Sequence, residues 1–174
     1  MGLAEYLLAM ALNTTFEPGE LVNKRNVTCM AQNIWFEAQG EDLVGQIKVG
    51  TTVMKRLYDS SYPDTVCSVI WKPGAFSWTN DHLPNSVVLR KVEDAEIYKQ
   101  ILAISIRVLS NDFSLDDAST HYWAHKKIAR PCWKDSFDRF EVHGNHTWAY
   151  EPNGKTTCWD ASRIALKDKT DAKP

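Results

Sequence analysis

A mainly helical α+β fold is predicted by three observations. Apolar residues recur at helical spacing in five separate stretches between residues 3 and 109. Beyond residue 137 the period changes to two around a Gly-Asn pair, as a small hairpin requires. The 174 residues, 44% hydrophobic and 24% charged, are enough for one domain with a real core.

The first stretch carries Leu3, Tyr6, Leu7, Met10 and Ala11 ahead of the NTTFEPGE break, which predicts a short docking helix. A second helix is expected from Asn26 as N-cap, with Val27, Met30, Ala31, Ile34, Trp35 and Ala38 on one stripe and Gly40 as the stop. After Glu41 and Asp42, a third carries Leu43, Val44, Ile47, Thr51, Met54 and Leu57, with Gly45 and Gly50 permitting close helix contact. Asp64 is a candidate cap for a short helix through Val66, Val69 and Ile70, ended by Pro73 and Gly74. The AFSWTNDHLP segment reads as irregular. Asp94 then caps a helix bearing Ile97, Ile101, Ile104, Val108 and Leu109. Phe140 and Val142, the turn at Gly144 and Asn145, and His146, Trp148 and Tyr150 give the hairpin. The charged residues from Lys167 onward are expected to form a flexible tail.

Composition excludes several function classes. With 20 Lys plus Arg against 22 Asp plus Glu, the formal charge of -2 does not suit a protein that binds nucleic acid by neutralising phosphates. The longest apolar runs, such as residues 4–12, are about half of the roughly 20 residues a membrane span needs. Glu5 interrupts the first run and no basic residue precedes it, so a secretory leader is not expected. Cys29, Cys67, Cys132 and Cys158 lack CxxC spacing, and four cysteines allow three pairings. Without an export signal they are expected to be buried thiols, with disulfides the alternative if the chain reaches an oxidising compartment.

Glu37 falls at the margin of the second helix's apolar stripe, beside Met30 and Ile34 and about a quarter turn from its middle. A carboxyl so placed is partly desolvated yet reachable, the situation in which an acid holds its proton near neutrality. On periodicity alone, a glutamate at such a margin more often reaches water or pairs with a Lys or Arg.

The stretch from Cys29 to Gly45, containing NIWFEAQGE, resembles the opening motif of the spore-cortex-lytic (SleB/CwlJ-like) bacterial cell-wall hydrolases, commonly close to NIYFEARGE followed by a GQ-containing helix. YPDTVCSVI at 62–70, FSWTND at 76–81, STHYWA at 119–124 and GNHTWAY at 144–150 follow in the family's order. Two departures stand out: the family commonly has His where this chain has Trp123, and Gln where it has Ala75. The resemblance implies a lysozyme-like domain with a small β-hairpin beside the active-site cleft, and it makes Glu37 the catalytic acid. It implies a docking helix over 1–20, a single catalytic domain over 26–166 and a tail over 167–174.

The implied reaction is cleavage of the MurNAc-GlcNAc bond of peptidoglycan as a lytic transglycosylase, with one Glu acting as acid and then base and no cofactor. Ser77, Trp78, Thr120, His121, Tyr122, Asn145 and His146, from the other blocks, are the candidates for substrate binding. The alternatives are a hydrolytic muramidase, a zinc-dependent amidase or a non-catalytic wall-binding module. His121 and His125, four apart, could share a zinc on a helix but lie roughly 13 Å apart on an extended segment, which STHYWA favours, and no metal is expected. The implied partner is the peptidoglycan glycan strand, met by a monomer that binds no nucleic acid and spans no membrane. Synthesis in a cytoplasm and release to the wall, as for a phage endolysin, is the expected setting.

Overall fold

The computed structural model describes residues 2–13, 21–127 and 131–155. The chain falls into two compact units that meet between Ala118 and Ser119. The first is helical: α1 (Leu3–Asn13), α2 (Lys24–Ala38), α3 (Leu43–Leu57), α4 (Val66–Ile70) and α5 (Val92–Leu109), with a 3-10 turn at Ser77–Thr79. The second contains β1 (His121–Ala124), β2 (Phe137–His143) and β3 (His146–Pro152) in an antiparallel sheet of order β1-β3-β2, with a 3-10 turn at Lys134–Ser136.

In the helical unit α2 is central, packed by α3, α4 and α5, while α1 rests on α5 and α2. Val27, Met30, Ala31 and Ile34 of α2 have no exposed surface. Each such aliphatic side chain contributes roughly 1.5–3 kcal/mol when removed from water. Leu7 and Leu8 seat α1, whose opposite face leaves Leu3, Tyr6 and Met10 about half exposed.

Helix starts differ from the sequence expectation in a consistent way. Asn23, not Asn26, caps α2, its side chain accepting from Asn26 N at 3.0 Å, while the Asn26 amide donates to Leu21 O. Thr65, not Asp64, caps α4 through the Ser68 N–H at 3.2 Å. Asp94 sits three residues inside α5, where its carboxylate accepts from the Arg90 and Lys91 N–H groups as the returning arm of a capping box. Several good capping residues lie close together at each start, and the strongest is not always outermost.

The buried face of α3 matches the expected one at Thr51 and Met54 and departs from it at the helix start. Leu43 and Val44 are 52% and 49% exposed, and Gln46, Val49, Val53 and Arg56 face inward instead. Gly50 makes the anticipated close contact, since a Cβ there would lie 3.0 Å from Val108 on α5 and 3.4 Å from Ile34 on α2. Gly45 does not, because its crowding comes from Glu41 in the preceding turn.

The cysteine expectation is corrected as well. Cys29 of α2 and Cys67 of α4 form a disulfide, and Cys132 is also disulfide-bonded, so none of the described cysteines is a buried thiol. Cys158, like the tail from Lys167, lies outside the described residues.

In the sheet unit the expected hairpin is β2 and β3, turning with Gly144 at a φ of 56° that a side chain would strain. STHYWA adds β1 as a third strand paired with β3. β3 is the middle strand, and His146 through Tyr150 are all buried, whereas β2 is an edge strand exposed on both faces along most of its length.

Candidate active site

Glu37 lies in the last turn of α2, half-buried, next to the fully buried Met30 and Ile34. Two devices pin this end of the helix. The first is Gln46, 1% exposed, whose Nε2 donates to Ala38 O at 3.3 Å and Glu41 O at 3.4 Å while its Oε1 accepts from Gln100 of α5 at 2.7 Å. The carbonyl of Ala38 belongs to the terminal turn that lacks helical partners, so Gln46 closes that turn and ties it to two further helices.

The second device joins α2 to the FSWTND block. Asn33, one turn before Glu37 and fully buried, accepts a hydrogen bond from the Trp78 indole at 3.0 Å. An indole N–H can only donate, which identifies the amide oxygen and leaves Nδ2 buried without an acceptor among the described residues. An unsatisfied buried donor of this kind costs about 1–3 kcal/mol. Sequence reading missed both amides. The available signal was a polar residue four before Glu37 within an otherwise apolar stripe, and for Gln46 its place in the GQ motif.

The structure turns Trp78 away from the role of an open stacking platform. Trp78 is 5% exposed, with Phe36 stacked on its ring at 4.8 Å and Trp71 edge-on at 5.1 Å. Beneath Phe76 lies the buried Arg56 guanidinium, 4.8 Å from the ring centroid, which also donates to Ala75 O at 3.3 Å. Held on both sides in this way, the turn presents Ser77 outward, exposed. Of the other nearby acids, Asp42 caps α3 through the Gly45 N–H at 2.8 Å and Asp81 accepts from Leu83 N at 2.9 Å, while Glu41 is half-buried after α2.

The remaining candidates lie in the sheet unit, and strand alternation divides them. Tyr122, His146 and Trp148 share one face, with Tyr122 4.3 Å from the Trp148 ring and 5.1 Å from that of His146. His121 points to the other face, against Trp133 and Phe137 at 4.9 Å, and its Nδ1 lies 2.9 Å from the Thr120 hydroxyl. Trp123, at the position where the family commonly has His, is 7% exposed on that same face beside Trp133 and Phe140. Buried Ser119 fixes the start of β1, its hydroxyl lying between the carbonyls of His121 and Ala149 and accepting from His121 N at 3.0 Å. Asn145 is in the exposed turn, its side chain accepting from Lys126 at 2.9 Å. His125 follows β1 rather than sitting on a helix with His121, and its Nδ1 is 3.3 Å from the Thr147 hydroxyl. Among the described residues no group of three or more His, Cys, Asp or Glu side chains is placed to hold a metal ion.

The chain is a member of the Cell Wall Hydrolase family, whose profile matches residues 40–149. The match begins three residues after Glu37, so the role of that residue rests on its motif and its setting. Relatives include the spore cortex-lytic enzymes of Halalkalibacterium halodurans, 36% identical over 74 residues, and Bacillus cereus, 31% identical over 77 residues. Those alignments cover 40% and 42% of this chain but only 22% and 30% of the relatives' own length. The fold is shared with the catalytic domain of the Bacillus cereus SleB protein, at TM-score 0.56 and 20% identity over 79% of this chain and 99% of that one. It is shared also with the catalytic domain of the germination-specific lytic transglycosylase SleB from Bacillus anthracis, at TM-score 0.54 and 18% identity over 76% and 100%. The expected mainly helical α+β class with a small sheet is thereby established, and its fold is that of these catalytic domains.

Proposed function

We propose that the protein cleaves peptidoglycan glycan strands as a lytic transglycosylase with Glu37 as its single acid and base. The observation that carries this reading is the setting of Glu37, a half-buried carboxyl on a helix end clamped by Gln46 and by the Asn33–Trp78 pair. Rigid placement of one proton donor is what glycosidic cleavage asks of a protein. Glu37 protonates the oxygen leaving between MurNAc and GlcNAc, and the resulting carboxylate then takes the proton of the sugar's own 6-hydroxyl as that oxygen closes a 1,6-anhydro ring. One-carboxyl chemistry is supported by two of the other acids, since Asp42 and Asp81 hold a helix cap and a turn.

On this reading Ser77, Thr120, His121, Tyr122, Asn145 and His146 supply contacts to sugar hydroxyl and N-acetyl groups. The Cys29–Cys67 disulfide suits action at the wall, where thiols are not kept reduced. The test is digestion of purified sacculi by the wild type and Glu37→Gln, followed by mass spectrometry of the muropeptides. Wild-type products should be one water lighter than those of a muramidase, and Glu37→Gln should release none. Hydrated reducing ends would instead identify a hydrolase, and a fully active Glu37→Gln would move the acid elsewhere.

A further inference from the structure

We propose that Asn33 is a positioning residue for Glu37. With its oxygen fixed by Trp78, Asn33 keeps its Nδ2–H as the donor that receives the Glu37 carboxylate once that side chain has given up its proton. The inference rests on the reading of Glu37 as the acid.

Four observations carry it. The Trp78 indole can only donate, so the 3.0 Å contact to Oδ1 leaves the amide no freedom to exchange its ends. Nδ2 is then a donor sealed from solvent, and from any sugar, with no acceptor among the described residues. Helical geometry limits what it can reach: its neighbours three and four positions away on α2 are Cys29, Met30, Phe36 and Glu37. Of these, a disulfide sulfur, a thioether and a ring are poor acceptors, and only Glu37 offers a strong one.

The chemistry supplies the moment at which the bond forms. While Glu37 is protonated it needs no donor. After transfer it is a carboxylate in a half-buried position, where a charge-assisted hydrogen bond holds it in place for the second step. Several charged side chains share this part of the molecule. On the helices packed against α2, the buried charged side chain is Arg56, engaged at Phe76, Tyr62 and Ala75. Lys48 and Lys55 of α3 are half-buried, Lys55 donating to Leu115 O. α4 carries no charge, and the charged residues of α5, namely Glu93, Asp94, Glu96, Lys99 and Arg107, are exposed or half-exposed. Glu41 and Asp42 follow in the turn and add like charge that the donor counteracts.

The experiment is a pH profile of kcat on soluble glycan chains for Asn33→Asp and Asn33→Leu, beside wild type and Glu37→Gln. Asn33→Asp keeps the acceptor for Trp78 but exchanges the donor for a negative charge, while Asn33→Leu removes the donor without adding charge. Activity needs protonated Glu37, so it falls on the alkaline side as that proton is lost. A donor to the carboxylate lowers its pKa, and losing the donor moves the alkaline limb upward, by about one pH unit. Both variants should show that shift, with kcat down about tenfold and KM little changed; Asn33→Val replaces Asn33→Leu if melting curves show that the latter does not fold. An unmoved limb in both, or a shift in Asn33→Asp alone, overturns the inference, whereas an active Glu37→Gln overturns the reading beneath it.

Discussion

The helical unit and the sheet unit bury polar groups for opposite ends. In the helices the buried amides, Asn33 and Gln46, brace the last turns of α2, Asn33 through Trp78 and Gln46 through Ala38 O, within a core of aliphatic and aromatic side chains. In the sheet polarity is spread over a layer of rings, Tyr122, His146 and Trp148 on one face and His121, Trp123 and Trp133 on the other. On the proposed reading, one unit holds a single carboxyl still and the other offers many polar-tipped surfaces. The contrast separates a residue that must be exact in position from residues whose contributions are shared.

Activity gives the sharpest break of that contrast. Glu37→Gln should lower turnover by at least about 10²-fold, the lower range of general acid catalysis, with the melting temperature little changed. Tyr122→Ala and His146→Ala should each cost about tenfold or less, chiefly through KM, because neighbouring rings retain part of the surface. Kinetics on sacculi that show either sheet variant as inactive as Glu37→Gln would erase the distinction.

The two units were also unequally legible in the sequence. Helical periodicity placed Glu37 at a stripe margin correctly because a long buried helix such as α2 repeats its pattern over several turns. The same periodicity found Thr51 and Met54 of α3 but failed in its first turn, where Leu43 and Val44 read as core while the residue inside is Gln46, whose burial depends on partners in Ala38, Glu41 and Gln100. Trp78 was unreadable for a related reason: its partner Asn33 is 45 residues away. In the sheet, by contrast, the extended reading of STHYWA already implied that His121 and Tyr122 face opposite sides. The disulfide had no local signature, because cysteine spacing carries no distance information once three pairings are allowed.

Stability offers the next tests. Removing the Cys29–Cys67 bond by the double change to Ala opens a crosslink spanning 38 residues, worth about 4 kcal/mol on the loop-entropy account. Hydrogen exchange should show lost protection in α2 and α4 with β3 spared, since Cys132 keeps its own bond. Equal loss in both units would mean that they unfold as one. A smaller effect, about 1–3 kcal/mol, is expected for Gly50→Val, whose Cβ lies 3.0 Å from Val108 Cγ2. Thermal melts should fall without loss of β3 protection.

The smallest effect reports on the helical core alone. Tyr98 of α5, 3% exposed and edge-on to Trp35 of α2 at 5.8 Å, has its phenol pKa pushed up by burial to about 12. A pKa raised in the folded state means that unfolding releases the proton more readily. The neutral phenol therefore supports the fold fully below pH 10, and that support drains away as pH rises from the unfolded value near 10 toward 12. At pH 11 the loss should be about 1 kcal/mol. Tyr98→Phe keeps the ring and removes the titration, so in denaturant midpoints measured at pH 8, 10 and 11 the wild type should fall relative to the variant as pH climbs, whatever their offset at pH 8. A constant offset across that range would show that Tyr98 ionises without hindrance and that the α2–α5 contact is wetter than its burial implies.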